Sequence, residues 1–149
     1  MGEGWARVGE LLGGGALGVL ATRDTQGGAP HLSLVAVASD ASPWELVFAT
    51  TRASRKFQNL VADPRVSLLV DDRRGEAADF RDAAAATAFG HAVEATGEGR
   101  RAAAACLMSQ HPGLAEFMAS PSSALVTLAV SRWELVRRFQ DVLVFEVEQ

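Results

Sequence analysis

The chain has 149 residues, 48% hydrophobic and 21% charged, with a formal net charge of −4. This length predicts one domain over residues 1–149, able to bury roughly 70% of its unfolded surface, and the acidic balance argues against a general nucleic-acid binder. A single cysteine, Cys106, rules out an intrachain disulfide and fits a reducing compartment, and no apolar run reaches the ~20 residues that span a bilayer.

Met1-Gly2-Glu3-Gly4-Trp5 lacks a basic leader followed by an apolar stretch, so no signal peptide is expected and the cytoplasm is the default location. Glu3 to Leu12 then spaces Trp5, Val8, Leu11 and Leu12 at helical intervals, and Gly13-Gly14-Gly15 ends that helix. A phosphate-loop reading of these glycines fails, because no Gly-Lys-Ser/Thr follows and they precede a strand. Ala16 to Thr22 and Pro30 to Ser39 read as strands flanking the turn Asp24 to Gly28, an antiparallel hairpin.

Asp40 to Pro43 predicts another turn, and Trp44 to Thr50 a short apolar third strand. Ser54 is placed to cap a helix through Ala62 carrying Phe57, Leu60 and Val61 on one face, closed by Asp63-Pro64. Arg65 to Asp71 gives a fourth strand and Asp72 to Arg81 a charged loop. Ala83 to Thr96 is the ambiguous segment: its alanines favour a helix, whereas Thr87, Phe89, His91 and Val93 alternate and Gly90 interrupts a helical pattern, so a strand is expected. Glu98 to Met108 reads as a helix around an inert Cys106, with a further helical turn at Leu114 to Met118. Ala124 to Val147 alternates as two strands joined near Arg137 to Asp141. Six or seven strands with turns too short for crossover helices favour a mainly β fold, an antiparallel barrel or sandwich with helical insertions, over a parallel Rossmann sheet.

The densest polar chemistry is Thr50-Thr51-Arg52-Ala53-Ser54-Arg55-Lys56, which follows the apolar Val47-Phe48-Ala49 at a strand-to-helix junction. A phosphate there could accept from helix-terminal amides, from hydroxyls and from Arg55 or Lys56. Composition alone leaves a solvated charge cluster with a helix cap equally open.

Three ordered stretches resemble the pyridoxamine 5'-phosphate oxidase-like, FMN-binding split-barrel family. These are Leu20-Ala21-Thr22 with Pro30-His31-Leu32-Ser33-Leu34-Val35, then Phe48 through Leu60, then Asp63-Pro64-Arg65-Val66-Ser67-Leu68-Leu69-Val70. The resemblance covers residues 16 to 72, close to half the chain, and implies a six- to seven-stranded antiparallel split β-barrel with FMN at a homodimer interface. It assigns Arg55 and Lys56 to the phosphate, with Ser54 or Thr51 donating to it. Ser33, Leu34, Val35 and Ala36 would lie along the isoalloxazine, and Thr50 at the ribityl or ring edge. Asn59 is expected to fix the local turn rather than touch the cofactor.

The C-terminal strands of such proteins can reach the partner's flavin, which makes Gln140, Arg138 and Trp133 candidates to contact it; an interface aromatic is the competing role for Trp133. The loop from Asp71 to Arg81 could edge a substrate pocket or be solvated. His31, His91 and His111 show no metal-ligand spacing, no Gly-x-Ser-x-Gly motif supports a hydrolase, and no general acid or base stands out, so the catalytic residues and the small-molecule substrate stay unassigned. Neither nucleic acid nor membrane is expected as a partner. The resemblance also extends to heme-utilisation split barrels, with His31 or His91 as iron ligands, and to deazaflavin-dependent reductases.

Overall fold

The computed structural model describes residues 2–40 and 42–147. Helix α1 (Glu3–Leu12) leads into β1 (Ala16–Arg23), β2 (Pro30–Ser39) and β3 (Glu45–Thr51). Helix α2 (Arg55–Ala62), β4 (Arg65–Asp71), a short α3 (Asp79–Asp82) and β5 (Ala84–Glu94) follow. The chain ends with α4 (Gly97–Gln110), a 3-10 turn at Pro112–Leu114, α5 (Ala115–Ala119), β6 (Ser123–Arg137) and β7 (Asp141–Glu146). The expected elements are all present, with ends moved by a residue or two, and the charged loop after β4 gains the four-residue α3.

Every strand pairing is antiparallel. The order β3-β2-β1-β4-β5-β6-β7, with β3 also pairing β6, closes six strands into a barrel and leaves β7 as an added strand. Closure removes the exposed sheet edges of those six strands over their paired lengths.

The ambiguous alanine segment is a strand because of what it faces. Ala84, Ala86 and Ala88 point into the barrel, and Ala86 and Ala88 pair with Leu135 and Trp133 of β6. Small side chains on one strand make room for the largest buried side chain on its neighbour. Trp133 is fully buried and donates from Nε1 to the Pro43 carbonyl at 2.8 Å. It is therefore a core residue, and neither stacks on a ligand nor faces an interface as the sequence had suggested.

Helices α1 and α2 cross opposite mouths of the barrel. α1 sends Val8, Leu11 and Leu12 into the core and contacts β2, β4 and β5 near the start of β1. α2 sends in Phe57 and Leu60 and contacts β1, β2 and β5 near the end of β1. A second apolar cluster lies outside the barrel wall, where Ala103, Leu107 and Met118 of α4 and α5 cover Ala38, Val47 and Leu125.

The barrel is not sealed along its whole height. β2 pairs with β3 only through Val37↔Phe48, Ala38↔Val47 and Ser39↔Leu46. Beyond Phe48, β3 continues with β6 alone, to Thr50↔Ala124 and Thr51↔Ser123. The β3-facing edge of Pro30 to Ala36 thus has no strand partner, and the split opens beside the N-terminus of α2.

Candidate functional site

The lower lip of the split is the β3-to-α2 junction. Ser54 has extended backbone angles and its Oγ accepts from the Phe57 N–H at 3.2 Å, the N-cap geometry expected from its place in the sequence. The same Oγ donates to the Thr51 carbonyl at 2.8 Å and lies 2.9 Å from Thr50 Oγ1. Thr50 and Ser54 thus brace the turn through their hydroxyls. The next helix-terminal amides, those of Arg55 and Lys56, have no acceptor among the described residues.

The three cations of the junction have separate environments. Arg52 is committed to structure: Nη2 reaches Glu94 at 2.7 Å and Nη1 donates to the Pro121 carbonyl at 2.8 Å, tying the end of β3 to the end of β5. Arg55 makes a longer contact, 3.3 Å, with Asp24 in the β1–β2 turn. Lys56 is half-buried with no carboxylate within salt-bridge reach among the described residues. Lys56 and two amides are therefore free for an anion, and Arg55 can share its longer contact with one.

Asp24 is the neighbour that the sequence did not single out. The Gln26 N–H, at 2.9 Å, holds its carboxyl below the usual range; partial desolvation opposes this, and the charges of Arg55 and His31 add to it. The only signal in the sequence was an acidic residue opening a Gln- and Gly-rich turn, which by itself says no more than an Asx turn. Asn59 fixes the same turn: buried, it donates to Thr22 Oγ1 at 3.1 Å and accepts from the Thr25 N–H.

The upper lip is β2. Ser33 and Val35 point toward the barrel interior, whereas Leu34 and Ala36 point outward. The four residues share one strand with an unpaired edge, where alternate residues present N–H and C=O groups to a planar polar heterocycle. His31 Nδ1 lies 3.4 Å from Ser33 Oγ. Gln140 is elsewhere: it is exposed in the β6–β7 turn, past the far end of the 15-residue β6 whose first residue pairs with Thr51. One chain does not bring it to the cradle formed by Thr50 to Lys56.

An open groove of about 500 Å³ runs along the outer wall beside the β1–β2 turn, with Arg23, Arg65, Phe89 and His91 in its lining. Asp63 spans the two arginines, 3.6 Å from Arg23 and 2.8 Å from Arg65, so one carboxylate offsets about half of their charge. His111 Nε2 contacts the Val37 carbonyl at 2.9 Å and serves the end of α4. The half-buried Cys106 thiol is pushed up by burial, with Asp40 and Glu45 adding to it, which keeps it protonated and unreactive. Among the described residues no helix is long and apolar enough to cross a membrane.

The site can thus hold a phosphate at one end of a cleft and a flat ring along a strand edge at the other. A family profile described as pyridoxamine 5'-phosphate oxidase matches residues 6–137. No curated protein matches the chain. Among solved structures, a heme binding protein from Mycobacterium smegmatis superposes with a TM-score of 0.86 at 20% identity, over 98% of this chain and 59% of that one. ChuZ from Campylobacter jejuni gives 0.79 at 16% identity, over 95% of this chain and 58% of its own. A Clostridium acetobutylicum protein related to general stress protein 26, of the pyridoxinephosphate oxidase family, gives 0.72 at 12% identity, over 95% and 93%. The chain thus spans about three fifths of the first two proteins and nearly all of the third.

Proposed function

Because the chain belongs to the pyridoxamine 5'-phosphate oxidase-like family, we propose that it binds FMN in the split between β2 and α2 and acts as a flavin-dependent oxidoreductase. The observation that carries this reading is the coincidence of an unpaired strand edge with a helix N-terminus bearing two free amides, Arg55 and Lys56. The amides and both cations suit a dianionic phosphate. Thr51 stands at the same lip, and the edge from Ser33 to Ala36 suits the polar rim of the isoalloxazine. Bound there, FMN would supply hydride or electron transfer, while the chain supplies binding and orientation. Arg55 exchanges or shares its contact with Asp24 when the phosphate arrives, so Asp24 keeps the guanidinium aimed at the cleft.

The flavin ring is too large for so small a barrel interior, and a second copy of the chain completes its site. Leu17, Leu32 and Leu34 are about two-thirds exposed on the outer wall of β1 and β2, next to the split. In a homodimer formed on this wall, Gln140 or Arg138 of one copy would contact the other's cofactor.

The test is the visible spectrum of the purified protein, alone and with added FMN. A bound-flavin spectrum is expected, and its absence in both samples defeats the proposal. Arg55→Ala with Lys56→Ala removes two charge-assisted contacts of about 1.5–3 kcal/mol each, so FMN affinity should fall at least about a hundredfold with the fold intact by circular dichroism. Unchanged affinity moves the phosphate elsewhere.

Heme is the second reading, favoured by the fold shared with the mycobacterial heme binding protein. His31, half-buried beside the cradle, and the exposed His91 are its candidate ligands. A Soret shift on heme titration, with no affinity for FMN, would select it. Competition between FMN and a deazaflavin decides the third.

A further inference from the structure

The groove beside the β1–β2 turn is lined by residues that the flavin cradle leaves unused, and strand register sets their order. Ala21 of β1 pairs with Ser67 of β4, and Ser67 with Phe89 of β5, which makes a mostly apolar row across the outer wall. Two residues further along each strand, on the same face, stand Arg23, Arg65 and His91. All six residues line the groove of about 500 Å³.

The second row carries surplus charge. Asp63 is the carboxylate in ion-pair reach of Arg23 and Arg65 among the described residues, and it takes both Nε and Nη2 of Arg65. Asp24, the next carboxylate in the chain, pairs with Arg55. Arg65 Nη1 and the Arg23 guanidinium keep no hydrogen-bond acceptor among the described residues. Two guanidiniums against one carboxylate leave one positive charge over. At the apolar row the charges cancel: Arg132 lies 4.2 Å from the centroid of the Phe89 ring, holding it against the wall, and pairs with Glu134 at 3.5 Å. The groove is therefore polarised, cationic at one end with an apolar floor at the other. Leu32, on the wall assigned to a second copy, pairs with Ala21 from the β2 side, whereas the groove extends the other way, to Phe89 and Ser131.

We propose that this groove binds an organic monocarboxylate. The carboxylate takes N–H donors from Arg23 and from Arg65 Nη1, charge-assisted contacts that suit guanidinium geometry. The apolar body lies across Ala21 and Phe89, covering wall that water otherwise wets. One carboxylate matches the one surplus charge. The site is separate from the phosphate cradle, since neither Arg55 nor Lys56 lines the groove.

The test is a titration of the full-length protein with 3-phenylpropionate, followed by backbone amide shifts. Saturable shifts are expected at residues 21–23, 65–67 and 89–91. Arg23→Gln with Arg65→Gln should weaken binding at least about tenfold. Ser67→Glu keeps both arginines but sets a second carboxylate beside them on the solvent face, and it should weaken binding by a similar factor with the fold intact by circular dichroism. The neutral 3-phenylpropan-1-ol should bind at least about tenfold more weakly than the acid. Saturating FMN, and the Arg55→Ala, Lys56→Ala variant, should leave the affinity for 3-phenylpropionate unchanged. The proposal is overturned if no saturable shifts occur at these residues, if the arginine or Ser67→Glu variants bind like wild type, or if the alcohol binds as tightly. It is also overturned if FMN displaces the probe, which would give the groove to the flavin, or if the cradle variant loses binding.

Discussion

Asp63 receives more than any other carboxylate beside the candidate groove. It accepts from Arg65 Nε at 3.0 Å, from Arg65 Nη2 at 2.8 Å and from the Arg65 backbone N–H at 3.2 Å, with Arg23 3.6 Å away. These contacts, the Arg65 side chain first, hold the carboxyl far below the usual range. A depressed folded pKa stabilises the native state above the unfolded value of about 3.9 and ceases to do so as pH falls through the folded value. Asp63→Asn should therefore unfold at lower urea than wild type near neutrality. The gap should narrow below about pH 4 and shrink in high salt, because both arginines are largely exposed. A gap independent of pH would assign the loss to the Asp-Pro turn instead of the charge. The same distinction applies in the cradle, where type and spacing alone could not separate Arg52, spent on Glu94, from Arg55 and Lys56, which stay available. The residues that decide this, Glu94 and Asp24, lie 42 and 31 positions away, beyond any local pattern.

Gly90 shows how one element depends on such a distant neighbour. A Cβ placed there would sit 2.0 Å from the Ala129 carbonyl oxygen, at the point where the β5–β6 register shifts. The close approach of the two backbones is what requires glycine, since Gly90 has no positive φ. Gly90→Ala should force the strands apart and cost about 1–3 kcal/mol, read as a lower denaturant midpoint with unchanged slope. A variant as stable as wild type would mean that the bulge yields without strain. Most elements were legible because local signals agreed: apolar runs flanking the turn between β1 and β2, alternation in β6, a serine cap at α2, Asp-Pro at its end. β5 was harder, since its alanines carry helix propensity and become a strand only through Trp133 across the sheet. α3 carries no buried residue and no periodicity, so nothing in its sequence could announce it. Of the cradle, the strand, cap and cations were legible. The split itself was not, because it depends on where β3 leaves β2 for β6.

The outer wall of the barrel raises the question of what the protein is as an assembly. Antiparallel sheets that face water usually alternate apolar inward with polar outward. β1 and β2 depart from this: Leu17, Leu32 and Leu34 stand about two-thirds exposed, and Val19 pairs with Leu34 between them. A contiguous apolar wall beside the proposed flavin cleft fits a surface that a second copy would cover, with two-fold pairing placing the same wall on both partners. In the proposed dimer, covering Leu32 and Leu34 on both copies would contribute about 1.5–3 kcal/mol per side chain. Replacing both with lysine in each copy should therefore raise the dimer dissociation constant by at least about four orders of magnitude, with the barrel folded, since neither side chain enters the core. If the ring is held between two chains, dimerisation and FMN binding are linked. The Leu32→Lys, Leu34→Lys variant should then sediment as a monomer and bind FMN weakly, whereas the Arg55→Ala, Lys56→Ala variant should lose FMN yet stay a dimer. Sedimentation velocity with and without FMN checks both, and a monomeric lysine variant with undiminished FMN affinity would confine the whole flavin site to one chain.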